Sequence, residues 1–288
     1  MNRVKVVAFV KVSLLSVMLL VANVTIVNAG PFIFTGTDSD DHGFASGSGN
    51  QEGWLFMQKA LENLAPAVTN GNKVVTILGS TGNSASAANS AFDFSSLGAA
   101  GWTVQTVSTA SFGTFFGAGG GLANSGILMM DSGSNSFSGG VDGSAFVPHA
   151  TAINNYLGAG GGLFSQANGY QWVSSLVPAL AVTDVGTGGE DSGLNLTTVG
   201  NAAFPGLTNN DLSTGPWHNH FANTGSIPIL AAAPDSSGVT RNLIIGSNAG
   251  TITNPVPEPA TVLLFGAGLV GILVIKRRMA LDVRHSNS

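Results

Sequence analysis

The sequence predicts an α/β domain: a single, mostly parallel sheet with helices on both faces. Three observations carry this. Short apolar runs bounded by glycine and polar residues recur through residues 30–246. Stretches with apolar residues three and four apart lie between them. Apart from the alternating "WTVQTVS", the runs are mostly apolar, as parallel strands covered on both faces are. The chain has 288 residues, 44% of them hydrophobic, and no cysteine. No disulfide is possible, so packing alone must hold the domain together.

The elements follow in order. "PFIFTG", residues 31–36, is an apolar run closing in a turn, hence a buried strand. In "NQEGWLFMQKALENLAPAV" the spacing of Trp54, Met57, Leu61 and Leu64 predicts an amphipathic helix that stops near Pro66. "KVVTILGS", residues 73–80, is a second buried strand, and the Ala- and Ser-rich residues 85–97 a second helix. "WTVQTVS", residues 102–108, and "GILMMDSG", residues 126–133, are the third and fourth strands. Residues 147–157 read as a helix with Pro148 near its start and Ile153, Tyr156 and Leu157 turned inward. "GGGLFSQ" supplies a fifth strand, and residues 170–180 a helix distorted by Pro178. Further strands are predicted at 180–185, 227–231 and 242–245. The related phrases "FFGAGGGLANSG" and "YLGAGGGLFSQANG" precede strands, so they read as connectors. A dinucleotide fingerprint would follow a strand and open a helix.

The two ends form a sorting system. Arg3, Lys5 and Lys11 precede the apolar residues 12–27, and Val27-Asn28-Ala29 is a small-residue cleavage site. Residues 1–29 therefore read as a signal peptide cleaved after Ala29. Near the other end stands "VPEPATVLLFGAGLVGILVIKRR", residues 256–278. Its apolar residues 260–275 rise about 24 Å as a helix, short against about 30 Å of hydrocarbon. Lys276, Arg277 and Arg278 are a membrane stop that keeps the tail, 279–288, in the cytoplasm. Residues 247–255 read as a spacer. Pro257, Glu258 and Pro259 hold the chain extended at the membrane edge, where a protease can grasp it.

Pro257-Glu258-Pro259, the short apolar helix and the basic cluster together resemble the PEP-CTERM sorting signal. The resemblance implies export through the Sec translocon and an inner-membrane intermediate. Processing by an exosortase follows, then delivery to the cell surface or extracellular matrix of a biofilm-forming Gram-negative bacterium, alongside exopolysaccharide. A second resemblance concerns the core. "FIFTGTDSDDHG", "ILMMDSG" and "YLGAGGGLF" resemble the glutamine-amidotransferase-like superfamily, its ThuA-like branch especially. That implies a flavodoxin-like, amidotransferase-like sheet. The chain departs from the family in lacking any cysteine, and "FSQAN" after the fifth strand holds no histidine.

Charge narrows the partners. Between residues 30 and 255 the basic residues are Lys59, Lys73 and Arg241, against thirteen acidic ones, a net charge of −10. Such a core excludes nucleic-acid binding, which requires lysine and arginine to neutralise phosphates. It suits cations or neutral glycans.

In an open parallel sheet ligands bind beyond the carboxyl ends of the strands. The loops there are "GTDSDDH", "GSTGN", "DSGSN" and "SQANG". Asp38, Asp40, Asp41 and His42 form the densest cluster, offering hard oxygens for Ca²⁺ or another divalent metal. The bland reading is a solvated acidic loop. In Trp217-His218-Asn219-His220, His218 and His220 share a face if the segment is a strand, and are metal ligands or acid–base candidates. The alternative is a surface turn after Gly215-Pro216. Ser165 lacks the nucleophile elbow. The sequence thus points to an exported surface protein with a non-catalytic, glycan- or cation-binding core. The alternative is a metal-dependent hydrolase on a degenerate amidotransferase-like fold, using His42, His218 and His220.

Overall fold

A computed structural model describes residues 30–133, 139–167, 169–186, 189–191 and 193–247. The predicted leader (1–29), the spacer from residue 248, the membrane helix (260–275) and the tail (279–288) lie outside the described residues. No helix among the described residues is long and apolar enough to cross a membrane.

Five strands form a parallel half-sheet. In chain order they are β1 (Phe32–Thr35), β4 (Val74–Leu78), β5 (Thr103–Val107), β6 (Ile127–Met130) and β7 (Gly162–Gln166). Between β1 and β4 come a small hairpin, β2 (Gly43–Ser46) with β3 (Gly49–Gln51), and helix α1 (Glu52–Leu64). Helix α2 (Gly82–Asp93) follows β4, the short α3 (Phe112–Phe115) follows β5, and α4 (Ala150–Gly158) precedes β7. After β7 come β8 (Ala181–Asp184), β9 (Asn195–Leu196), α5 (Thr198–Ala203), α6 (Asn209–Leu212), β10 (Asn219–Ala222), β11 (Ile229–Pro234) and β12 (Thr240–Ser247).

The main sheet runs β5-β4-β6-β7-β1-β12-β10-β8, with β11 and β9 attached through β12. All pairings from β5 to β1 are parallel, and all from β1 onward antiparallel. The expected mostly parallel, flavodoxin-like sheet is therefore corrected to a mixed one. The physical reason lies in the connections. Parallel neighbours need a crossover of about a dozen residues or more. The link from β11 to β12 is a tight turn built on Asp235, whose Oδ1 accepts from the backbone N–H groups of Ser237 and Val239. Such a turn permits only an antiparallel return. Strand β1 also pairs with β7 and β12, not with β4, whereas a flavodoxin-like order would place its first two strands side by side.

Both faces of the sheet are covered, as expected. On one, Ile33, Val75, Ile77, Ile127, Met129 and Phe164 pack under α1 and α2. Helix α1 buries Phe56, Met57, Ala60, Leu61 and Leu64, and Pro66 turns its end into a 3₁₀ turn. Trp54 is only partly buried. Helix α2 offers Ser84, Ala87, Ala88 and Ala91, small residues that let it lie close to α1. On the other face Phe32, Phe34, Leu128, Met130 and Leu163 pack under Phe146, Ile153, Tyr156, Leu157 and Trp172.

Two helix expectations change. Residues 143–149 form a 3₁₀ segment, so the α-helix begins at Ala150, beyond Pro148. Residues 170–180 hold only a 3₁₀ turn at Val173–Ser175. Tyr170 takes a left-handed φ of 56° there, and its hydroxyl is bound into the sheet. Pro178 denies the segment a continuous helix. Tertiary anchoring has overridden the apolar periodicity.

Candidate functional site

Leaving β1, the chain passes Gly36, where a Cβ would stand 1.7 Å from the Asn219 carbonyl oxygen. That bare backbone lets the residues before β10 press against it. His218 N–H donates to Gly36 O at 2.7 Å, and Thr37 bridges to Trp217. His218 thereby reaches Asp38. Its Nε2 lies 3.1 Å from Asp38 Oδ2 and its Nδ1 3.0 Å from Gly186 O. Both partners are acceptors, an arrangement that favours the doubly protonated imidazolium form of His218. Burial opposes that charge, but the bonds to Asp38 and Gly186 prevail and raise its pKa above the ordinary value. Burial likewise works against the Asp38 carboxylate, yet hydrogen bonds from His218 and His42 hold its pKa down to about 2.

His42 Nε2 sits 3.4 Å from the same Asp38 oxygen. The bond to Asp38 raises the pKa of His42, against a smaller opposing effect of burial. Asp38, Asp41 and His42 each offer one ligand atom, all within 4.8 Å of one another. Asp38 is 1% exposed, while Asp41 and His42 are half-buried. The loop is thus a buried acidic base with a partly open rim, and the reading of a wholly solvated loop is corrected. The cause is the Gly36 approach, which roofs Asp38 with a strand distant in sequence.

Asp40 is fully buried. Ser84 Oγ, in the first turn of α2, donates to its Oδ2, while Trp54 Nε1 and Asn83 Nδ2 donate to its main-chain oxygen at 3.0 and 3.1 Å. Beside it lies Asp131, also fully buried, at the carboxyl end of β6. Ser80 Oγ, just past β4, donates to Asp131 Oδ2 at 2.5 Å, and Gln166 Nε2, the last residue of β7, to Oδ1 at 3.3 Å. Burial foremost, then the negative charge of Asp131, pushes the Asp40 pKa well above the carboxylate range. Burial pushes Asp131 up to about 7, against the bonds from Ser80 and Gln166.

The topology explains the convergence. From β4 the chain moves outward to β5, whereas from β6 it moves the opposite way to β7. The crevice between the carboxyl ends of β4 and β6 is the switch point of the parallel half, where open α/β sheets bind ligands. Ser80 and Asp131 stand on its two sides. Sequence reading identified their loops but not these residues. The signal was there: Asp131 is the first polar residue after the run "ILMM".

The Trp217–His220 segment is buried rather than a surface turn: its four residues are 0%, 2%, 0% and 8% exposed. His218 and His220 nonetheless serve different surroundings. His220 packs against Trp217, and burial, then the nearby Arg241, lowers its pKa. Ser165 is fully buried on β7. A cavity of about 340 Å³ lined by Pro66, Val68, Lys73 and Trp102 lies at the amino ends of β4 and β5 and shares no residue with the carboxylates.

Fold and site define a mixed α/β domain with a buried carboxylate cluster at the carboxyl ends of its parallel strands. The particular assignment comes from outside that domain: residues 255–278 match the PEP-CTERM protein-sorting motif. The chain therefore carries the signal of exported proteins that an exosortase processes on the way to the cell surface. Comparison with curated proteins yields no match, and comparison with solved structures yields none. The amidotransferase-like resemblance gains no support from them.

Proposed function

We propose that this is a surface-displayed binding protein rather than an enzyme, and that its core takes up a divalent cation at Asp38, Asp41 and His42. The signal peptide delivers it to the Sec translocon, and the apolar run at 260–275 holds it for the exosortase. The observation that carries the cation reading is the convergence of three ligand atoms within 4.8 Å at a partly open rim. One imidazole and two carboxylates suit Zn²⁺ or Mn²⁺ as well as harder ions. A cation held there keeps positions open to solvent, through which hydroxyl groups of a matrix polysaccharide can be bound by a core that is itself strongly acidic.

Titration of the detergent-solubilised full chain with Zn²⁺ and Mn²⁺ tests this. Binding should weaken at least about tenfold in Asp41→Asn and His42→Ala, the scale of losing one ligand or its support. Equal binding by both variants and the parent chain would end the proposal.

A further inference from the structure

In their ionised form the fully buried Asp40 and Asp131 need a positive partner that the described Lys and Arg side chains and His218 do not supply, and burial accordingly pushes both pKa values up. Lys59 is paired with Glu62 at 2.9 Å, Lys73 donates to Ala100 O at 2.8 Å, and Arg241 is paired with Asp235 at 2.7 Å. The charge of His218 is committed to Asp38. A proton shared between the two carboxylates would need a hydrogen bond from one to the other. Yet Asp40 Oδ1 is a buried acceptor without a hydrogen-bond partner among the described residues, and Asp131 spends its two oxygens on Ser80 and Gln166.

A second orphan stands beside them. The Gln166 side chain is fully buried, and its amide nitrogen is on Asp131. Its Oε1 has no hydrogen-bond partner among the described residues. A buried acceptor without a donor costs about 1–3 kcal/mol, and more when charged. Buried carboxylate and amide oxygens that lack donors, as Asp40 Oδ1 and Gln166 Oε1 do, are the ligand type of a hard cation.

We propose that Asp40, Asp131 and Gln166 form a buried all-oxygen site for a hard divalent cation, Ca²⁺ in the first instance, at the switch point of the parallel strands. It is separate from the rim site of Asp38, Asp41 and His42, which contains a nitrogen ligand and is partly open. Its role is structural: the ion ties the loop after β1 to the ends of β6 and β7, while Ser80 and Ser84 orient the two carboxylates. In the mixed set Asp38/Asp41/His42 the imidazole favours Zn²⁺, whereas the all-oxygen set favours Ca²⁺.

The test is thermal unfolding of the full chain in detergent after chelator treatment, with Ca²⁺, Mg²⁺ or Zn²⁺ added back, together with metal analysis of the protein. Ca²⁺ about a hundredfold above its Kd should raise Tm by about 5–10 °C. Asp131→Asn and Asp40→Asn should abolish that rise. Both variants should still melt cooperatively in chelator, since asparagine keeps the shape of the aspartate it replaces, and that transition shows that the variants fold. His42→Ala should keep the Ca²⁺ response. No rise with Ca²⁺ or Mg²⁺, and no bound ion, overturns the proposal and leaves protonation as the neutralising event. A response lost in His42→Ala but kept in Asp131→Asn also overturns it, while upholding the rim site. The converse pattern upholds the buried site.

Discussion

Asp38 and His218 stand 180 positions apart in sequence, yet one hydrogen bond of 3.1 Å joins them. The bond ties the first loop of the parallel half-sheet to the antiparallel half. It also decides the chemistry of Asp38, whose carboxylate stays ionised although buried.

Removing the imidazole leaves that carboxylate buried with less support. His218→Ala should cost about 3–5 kcal/mol, the range for breaking one side of a buried ion pair. The pH dependence has a definite sign. His218 has a folded pKa raised above 6.5, so its contribution is complete below 6.5 and is lost as pH rises through the folded value. Asp38 has a folded pKa near 2, so its contribution is present above 3.8 and is lost as pH falls toward 2. The pair supports the fold most between pH 3.8 and 6.5. Denaturant midpoints should fall as pH rises above 6.5 through the folded pKa of His218, and His218→Gln should flatten that decline.

Gly36 makes the pairing possible by close approach. An added methyl group would meet the Asn219 carbonyl oxygen at 1.7 Å. Gly36→Ala should therefore destabilise by about 1–3 kcal/mol or more, as overpacking does. Gly47→Ala, where a Cβ meets nothing within 4 Å, should leave Tm nearly unchanged. If the two variants melt alike, the close approach does not constrain the fold.

Tyr170 fastens β1 to β7. Its hydroxyl accepts from Thr35 N–H at 3.1 Å and lies 2.8 Å from the carbonyl oxygens of both Thr35 and Ser165. Tyr170→Phe keeps the ring but strands these buried groups, so a loss of about 1–3 kcal/mol is expected in denaturant unfolding. Hydrogen exchange at the Thr35 amide should quicken in the same variant.

The sorting motif predicts a change of place rather than of stability. Deleting residues 256–278, or replacing Pro257, Glu258 and Pro259 by alanine, should abolish surface display in a strain with its exosortase. The melting of the core should stay as in the parent chain. Unchanged display in cell fractionation would refute the role assigned to the motif.

The sequence by itself determined the local and the linear. Apolar runs gave β1, β4, β6 and β7 nearly to their ends, because a strand buried on both faces must be apolar throughout, and the alternation in "WTVQTVS" gave the more exposed edge strand β5. The three- and four-residue spacing gave α1, and the sorting motif was legible because its triplet, apolar run and basic stop are contiguous. Short elements such as the β2–β3 hairpin, α3 and β10 carried too little pattern to stand out. Only the tertiary structure decided the pairing of β1 with β12 and the meeting of Asp38 with His218. It alone converted Asp40, Asp131, Ser80 and Gln166 from four loop residues into one buried cluster. Strand order is set by which apolar faces and backbone edges can be satisfied together. That is a property of the whole chain, and no single segment contains it.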